Sequence, residues 1–154
     1  GAVETTSVDL AKRSRELSTA HFEANGFSMG NHRLVVMDVF DYFKYAKKKG
    51  LSYDLIVIDP PSFARNKKRT FSANKDYHKL IAQSLDILSE HGTIIASTNA
   101  ANMTVQQFKK QLGKGLGDVS ADFVNLQQLP ADFTVNPNDP TSNYLKVYTI
   151  KVNK

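Results

Sequence analysis

The feature that most constrains the fold is the segment at residues 54–63, which reads DLIVIDPPSF. Its apolar, β-branched run is typical of a strand that helices cover on both faces, as in a parallel sheet. Ligands of open α/β sheets bind outside the carboxyl ends of the strands, so Asp59 at the end of this run is a candidate functional carboxylate. Pro60 and Pro61 fix φ and lack amide donors, which stiffens the loop and leaves backbone carbonyls as acceptors. Phe63 adds a flat apolar face beside them.

The composition limits the class of protein. With 154 residues, of which 41% are hydrophobic and 23% charged, the chain can form one domain with a core. No apolar run approaches the roughly 20 residues that span a bilayer and no signal peptide is recognised, so we expect a cytoplasmic protein without a membrane partner. The chain has no cysteine, which excludes thiolate metal sites and cysteine nucleophiles within it, and no metal-ligand spacing is present. The net charge of +5 favours an acidic partner such as nucleic acid.

The periodicity of apolar residues predicts alternating strands and helices. Strands are predicted at residues 1–9, 33–40, 54–59, 93–99, 122–129 and 144–152, and helices at residues 10–25, 41–50, 73–90 and 104–115. No helix separates the last two strands, so we expect them to pair antiparallel. The sequence therefore predicts an α/β fold whose sheet is mostly parallel, with an antiparallel C-terminal strand pair.

Three strand regions carry an acid at or near their carboxyl ends: Asp9, Asp38 and Asp59. Along one edge of a parallel sheet, one carboxylate could accept both hydroxyls of a ribose, the next could face an adenine amino group, and the third could meet a donor of the substrate. Taken singly, each is more simply explained as the cap of the following helix. The pattern indicates a nucleoside site, and capping remains the alternative for each residue.

Residues 64–71 follow the candidate site and are predicted to be a loop. Arg65, Lys67, Lys68 and Arg69 fall within five positions, between two aromatic residues. A run of charge is usually a solvated loop. Contact with RNA is an equal alternative, because phosphates require positive charge and unpaired bases stack on aromatic rings.

These motifs resemble those of class I S-adenosylmethionine-dependent methyltransferases, specifically the bacterial large-subunit ribosomal RNA methyltransferases in which Asp-Pro-Pro-x-Phe follows the fourth strand. Residues 7–9 with 23–26 are similar to the family's ribose-binding strand and helix, residues 37–40 to its adenine-binding segment, and residues 59–63 to its catalytic loop. The resemblance covers essentially the whole chain and implies a Rossmann-like sheet that binds S-adenosyl-L-methionine. The residues it assigns to the cofactor are Asp9, Asp38, Val39 and Asp59. The residues it assigns to catalysis are Asp59, Pro60, Pro61, Phe63 and Asn99.

The resemblance also implies a strand and a glycine-rich loop that would precede Gly1. In the family this loop cradles the methionine part of the cofactor. We therefore expect residues 1–154 to be a partial methyltransferase catalytic domain, truncated at the N-terminus, which binds the cofactor poorly by itself.

The target atom is indicated by Asn99. Cytosine C5 methyltransferases of this group have a cysteine at that position, because C5 is not nucleophilic until C6 is substituted. The segment at residues 97–99 is more similar to the Ser-Asn-Asn of relatives that methylate a guanine ring nitrogen. The resemblance thus implies methylation of a base nitrogen in 23S ribosomal RNA, with guanine favoured, and a flipped or unpaired base stacked on Phe63.

Two other functions remain open from the sequence. Asp-Pro-Pro loops serve several nitrogen acceptors, so the substrate could be a protein or a small-molecule amine, although the basic segment from Arg65 to Arg69 favours RNA. The chain could also be a non-catalytic RNA-binding or assembly module that retains the fold. A homodimer is compatible with the sequence as well.

Overall fold

Strands and helices alternate along the chain in the computed structural model, which describes residues 1–66 and 69–154. These residues group into two units, Gly1–Lys49 and Gly50–Lys154. The first unit contains β1 (Thr5–Asp9), α1 (Lys12–Ala24), β2 (His32–Val36) and α2 (Val39–Lys48). The second contains β3 (Tyr53–Ile58), β4 (Phe63–Arg65), β5 (Thr70–Ser72), α3 (Ala73–Leu85), β6 (Leu88–Thr98), α4 (Val105–Leu116), β7 (Ser120–Gln127), a 3-10 helix at Pro140–Ser142, and β8 (Lys146–Asn153).

The first unit is built on two parallel strands. β1 pairs with β2 from Thr5 opposite His32 to Asp9 opposite Val36. The amide of Met37 continues the ladder by donating to the carbonyl oxygen of Asp9 over 3.0 Å. Because the strands are parallel, their carboxyl ends lie at the same edge of this unit.

The second strand ends earlier than predicted, at Val36 instead of Phe40. Asp38 is the N-cap of α2, and its Oδ1 accepts from the amides of Phe40 and Asp41 over 3.0 and 3.4 Å. A helix start leaves such amides without intrahelical partners, and the aspartate supplies an acceptor for two of them. The helix therefore begins at Val39, two positions before the predicted start.

The second unit contains a four-stranded sheet in the order β3-β6-β8-β7. β3 and β6 are parallel, whereas β8 is antiparallel to both of its neighbours. The α/β fold class and the antiparallel pairing of the last two strands are confirmed, with β8 lying between β6 and β7. The central strands are apolar where they cross the core, as fully buried Ile94 and Ile150 show.

Helices α3 and α4 pack closely and bury aromatic side chains with the sheet. The rings of Tyr77 and Phe108 meet edge to face with 4.9 Å between centroids, and Phe108 lies 5.9 Å from Tyr148 of β8. These three side chains are at most 6% exposed. At Gly115 of α4 an added Cβ would lie 2.5 Å from the Cβ of Ile81 in α3, so the close approach of the two helices depends on this glycine.

Helix α3 ends at Leu85 and not at residue 90 as predicted. Leu88 already belongs to β6 and pairs with Tyr53, and the register then shifts so that Leu55 pairs with Thr93. The apolar spacing of this region suits a helix, but pairing with β3 supplies the backbone partners, and tertiary structure overrides the local pattern. The other elements agree with the predicted ranges to within a few residues at each end.

The basic segment at residues 64–71, predicted to be a loop, instead takes part in a two-stranded antiparallel hairpin of β4 and β5. The amide of Asn66 donates to the carbonyl oxygen of Arg69 over 3.0 Å, and the amide of Arg69 donates to the Asn66 side chain over 2.9 Å. Phe71 is 7% exposed, whereas Phe63 is 64% exposed. Of the two flanking aromatic residues, Phe63 therefore presents its ring to solvent and Phe71 does not.

Candidate active site

The carboxyl ends of β3 and β6 bring two of the predicted catalytic residues to one edge of the sheet. The strands are parallel, with Ile58 opposite Ala96. Asp59 follows Ile58, and Asn99 follows Thr98, the last residue of β6. Both side chains are exposed, so this edge offers a carboxylate and a carboxamide to a ligand.

Tyr77 of α3 joins the two strand ends at this edge. Its hydroxyl lies 2.9 Å from the carbonyl oxygen of Ile58 and 2.8 Å from that of Ser97, and the side chain is fully buried. Burial raises the pKa of Tyr77 well above 10.0, and the charge of Asp59 adds to the shift. The hydroxyl is therefore protonated at neutral pH, and its single hydrogen is shared between these two carbonyl oxygens, which holds β3 and β6 together just before Asp59 and Asn99.

Ser97 of β6 orients the carboxylate of Asp59. The Ser97 side chain is 8% exposed, and its hydroxyl donates a short hydrogen bond to Oδ1 of Asp59. A carboxylate has about four acceptor positions. The bond thus fixes the direction of Asp59 while other acceptor positions can serve a ligand.

Ser62 ties the proline loop to the end of β6. Its hydroxyl donates to Oδ1 of Asn99 over 2.8 Å, and its carbonyl oxygen accepts from the amide of Ala73 over 3.0 Å. The two prolines before it have fixed φ angles. The loop is consequently held at one end by β3 and at the other by α3 and Asn99.

Sequence analysis assigned no separate role to Tyr77, Ser62 or Ser97. Tyr77 lies within the predicted helix at residues 73–90, and the available signal was that a tyrosine buried in a core needs a partner for its hydroxyl. The two serines lie inside the quoted motifs. Their partners are 37 and 38 positions away in the sequence, so no local pattern identifies the contacts.

The hairpin after the proline loop presents a ring and a guanidinium on one face. Phe63 and Arg65 are two positions apart on β4, so their side chains point to the same side at a spacing of about 6.6 Å. Both are exposed. Ala64, between them, pairs with buried Phe71. This face can stack on a flat group and contact an anion next to it.

The structure describes two of the four basic residues that are predicted to contact RNA. Arg65 is exposed on β4, and Arg69 is half-buried directly before β5. Lys67 and Lys68 lie outside the described residues. RNA contact stays a prediction for all four.

In the first unit, Asp9 ends β1 with both carboxylate oxygens hydrogen-bonded. Oδ1 accepts from the amide of Ala11 over 2.7 Å, and Oδ2 accepts from the hydroxyl of Ser14 over 2.8 Å. These bonds, that of Ala11 foremost, hold the pKa of Asp9 below its usual value. A shallow depression lined by Ser7, Ser14 and Val35, among others, adjoins the carboxylate. Asp9 is therefore a charged, oriented acceptor.

Asp38 and Val39 lie where β2 gives way to α2 in the same unit. The amide of Met37 bonds to the carbonyl oxygen of Asp9, which brings Asp38 next to the end of β1. Asp38 caps α2 and Val39 is the first helical residue. The hydrogen bonds of the Asp38 side chain are therefore those of a helix cap. Capping is compatible with ligand binding because a carboxylate has further acceptor positions. Asp59 belongs to the second unit, and the common edge of the three carboxylates stays a prediction.

Lys146 is a buried cation near the candidate site in the second unit. It pairs with Thr98 across β6 and β8, and it is 3% exposed. Its Nζ donates to the carbonyl oxygens of Ala100 and Tyr144 over 2.9 and 2.8 Å. Burial lowers the pKa of Lys146. The side chain thereby ties the residue after Asn99 to the start of β8.

The structure describes residues 1–66 and 69–154. Within these ranges, no three histidine, aspartate or glutamate side chains are grouped so that they could hold a metal ion. None of the helices in the same ranges has both the length and the apolar character that crossing a bilayer requires.

Comparison with known proteins identifies relatives of the chain. A profile of the family described as S-adenosylmethionine-dependent methyltransferase matches residues 1–147. The Bacillus subtilis (strain 168) protein YwbD, described as a candidate ribosomal RNA large subunit methyltransferase, is 42% identical over 153 residues. The ribosomal RNA large subunit methyltransferase K of Neisseria meningitidis serogroup B is 30% identical over 135 residues. The matches cover 98% and 86% of this chain but 39% and 36% of those relatives.

Solved structures show the same fold. SMU.776, a candidate methyltransferase complexed with SAH, matches with a TM-score of 0.95 and 70% identity over 99% of this chain and 40% of its own. A candidate SAM-dependent methyltransferase from Streptococcus mutans matches with a TM-score of 0.92 and 67% identity over 99% of this chain and 39% of its own. The Rossmann-like methyltransferase fold expected from the sequence is thus confirmed.

Proposed function

Because the chain belongs to the S-adenosylmethionine-dependent methyltransferase family, we propose that it methylates a base nitrogen of 23S ribosomal RNA, with guanine as the favoured base. The relatives named as large-subunit ribosomal RNA methyltransferases support this class of substrate. By the family resemblance, Asn99 stands at the position of the cysteine that cytosine C5 enzymes use, which argues for a nitrogen target. A cytoplasmic location follows from the proposed substrate.

The observation that carries the proposal is the arrangement at the carboxyl ends of β3 and β6. Asp59 and Asn99 are exposed there, and Ser62 and Ser97 hold their side chains through hydrogen bonds. The exposed ring of Phe63 follows directly in β4. This combination can hold one edge of a base and cover one of its faces.

The residues of the first unit fit the family's cofactor. Asp9 is a charged acceptor beside a depression and suits the ribose hydroxyls. Asp38 and Val39 follow at the same edge, where we propose that they meet the adenine ring. Asp59 completes the proposed cofactor set. When bound, S-adenosylmethionine supplies a methyl group on a positively charged sulfur.

The proposed chemistry requires positioning more than covalent catalysis, because a base nitrogen brings its own lone pair. The N–C bond forms while the C–S bond breaks. A ring nitrogen without hydrogen becomes positively charged, whereas a nitrogen with hydrogen passes its proton to Asp59. The oxygens of Asp59 and Pro60 hold the base edge, and Phe63 stacks on a base that is unpaired or flipped. Pro61 keeps Pro60 in an extended conformation.

The test measures transfer of labelled methyl groups by the full-length protein to ribosomal RNA from a strain that lacks the gene, followed by mapping of the modified base. We expect Asp59→Ala to slow transfer about 100-fold or more, in the range of a lost acid or base, with cofactor affinity largely kept. Asp54→Ala is the matched control, because Asp54 is an exposed aspartate near the amino end of the same strand.

Unchanged turnover in Asp59→Ala would refute its catalytic role. Label in protein or in a small amine, and not in RNA, would favour the alternative substrates. RNA binding without transfer to any acceptor would indicate a non-catalytic module.

A further inference from the structure

We propose that Ser62 makes the site selective for guanine by fixing the direction in which the Asn99 amide faces. This inference rests on the proposed function and identifies the pair of residues that sets its base specificity. The Ser62 hydroxyl donates to Oδ1 of Asn99 over 2.8 Å. A carboxamide carries its acceptor and its donors on opposite sides, so engagement of Oδ1 leaves Nδ2 as the group that can donate to a ligand.

Backbone contacts hold both partners of this pair in place although their side chains are exposed. The carbonyl oxygen of Ser62 accepts from the amide of Ala73 at the start of α3. On the other side, the buried Nζ of Lys146 donates to the carbonyl oxygen of Ala100, the residue after Asn99. The hydroxyl and the amide therefore meet as parts of two anchored segments.

The resulting edge has a defined hydrogen-bonding character. Asp59, as a carboxylate, and the carbonyl oxygen of Pro60 can only accept hydrogen bonds. Asn99 in the observed direction adds a donor. The site thus offers two acceptors and one donor to the edge of a base.

Guanine has the complementary set on its Watson–Crick edge, with two donors at N1 and N2 and one acceptor at O6. Cytosine and uracil each carry two acceptors and one donor there, and adenine has one of each. A base that leaves a polar group of the site without a hydrogen-bond partner binds more weakly. That group has lost its hydrogen bonds to water and gains none from the base. Turned the other way, the Asn99 amide would place an acceptor against O6 and would lose this preference.

The test compares two RNA fragments that contain the mapped target position, one with guanosine and one with 6-thioguanosine, which keeps the donors at N1 and N2 and replaces O6 by a sulfur that accepts hydrogen bonds weakly. With the full-length protein, kcat/KM is measured for each RNA. We expect the ratio of guanosine to 6-thioguanosine to fall about tenfold in Ser62→Ala, equivalent to about 1.4 kcal/mol. Ser62→Thr keeps the hydroxyl and is expected to keep the ratio. Asn99→Asp replaces the donor by a carboxylate oxygen and is expected to abolish the preference.

The ratio separates specificity from general damage. A purely structural role of Ser62 would lower kcat/KM for both RNAs in the same proportion, and that result, or an unchanged ratio, would overturn the proposal. Ser52→Ala, at an exposed serine of the same unit, controls for loss of a surface hydroxyl. Failure of the proposed function is a different result, since the wild-type protein would then methylate no guanosine in RNA.

Discussion

At the scale of single residues, Tyr77 shows how one side chain prepares a site without touching a ligand. Its hydroxyl contacts the carbonyl oxygen of Ile58, the residue directly before exposed Asp59. It also contacts the carbonyl oxygen of Ser97, two positions before exposed Asn99. Its ring belongs to the core through contact with Phe108. The same residue therefore links the packing of α3 and α4 to the spacing of the strand ends.

We expect Tyr77→Phe to lower the free energy of unfolding by about 1–3 kcal/mol, because two buried carbonyl oxygens lose the hydrogen bond from the Tyr77 hydroxyl while the ring still packs. Methyl transfer by the full-length protein should slow, with a larger change in kcat than in KM. Thermal unfolding and steady-state kinetics measure the two effects. Tyr45→Phe, at a tyrosine that is 46% exposed, is the control, and equal effects of both substitutions would contradict the linking role.

At the scale of elements, the pair α3 and α4 depends on a short distance between two helices. The glycines of α4 are not equivalent. A Cβ at Gly115 would lie 2.5 Å from Cβ of Ile81 and 2.6 Å from the carbonyl oxygen of His78, whereas a Cβ at Gly113 meets no atom within 4 Å.

Gly115→Ala and Gly113→Ala are therefore expected to have opposite effects. The first must push the helices apart and should cost about 1–3 kcal/mol of stability. The second adds a helix-favouring residue in open space and should gain about 0.5–1 kcal/mol. The unfolding temperatures of the two full-length variants measure this, and a stabilising Gly115→Ala would show that the helix contact is not tight.

The hairpin of β4 and β5 is the second element with a functional prediction. Arg65→Gln removes one exposed cation beside Phe63, so we expect RNA binding to weaken and the slope of log affinity against log salt to fall by about 0.7, as for one phosphate contact on a single strand. Filter binding or fluorescence anisotropy across salt concentrations measures the slope. Arg33→Gln, at an exposed residue of β2, is the charge-matched control, and an equal change in both variants would argue against a hairpin contact.

At the scale of the whole molecule, the chain spans less than two fifths of the length of its curated relatives. Activity, RNA substrate and cofactor affinity are therefore properties to be measured on the full-length protein. Each of the two units contributes its own candidate site residues to the full-length protein. The first unit holds Asp9 and Asp38 at the end of a parallel strand pair, and the second holds Asp59, Phe63 and Asn99.

The amino-acid sequence alone predicts the fold class and the position of the candidate residues at strand ends. Strong local signals account for this: the apolar run before Asp59, the prolines after it, and the order of three acids along the chain. Where two local signals conflicted, the sequence was less informative. It extended α3 beyond Leu85 and extended β2 to Phe40, because apolar spacing alone does not show which partner satisfies the backbone.

The side chains that hold the site together are visible only in the folded chain. The bonds of Tyr77 to Ile58, of Ser97 to Asp59 and of Ser62 to Asn99 join residues 19 to 38 positions apart. Such contacts depend on strand register and on helix packing, which place distant residues side by side without leaving a periodic trace in the sequence. The order of residues could show that a polar loop follows a buried strand, but the directions in which the Asp59 carboxylate and the Asn99 amide face are properties of the folded chain.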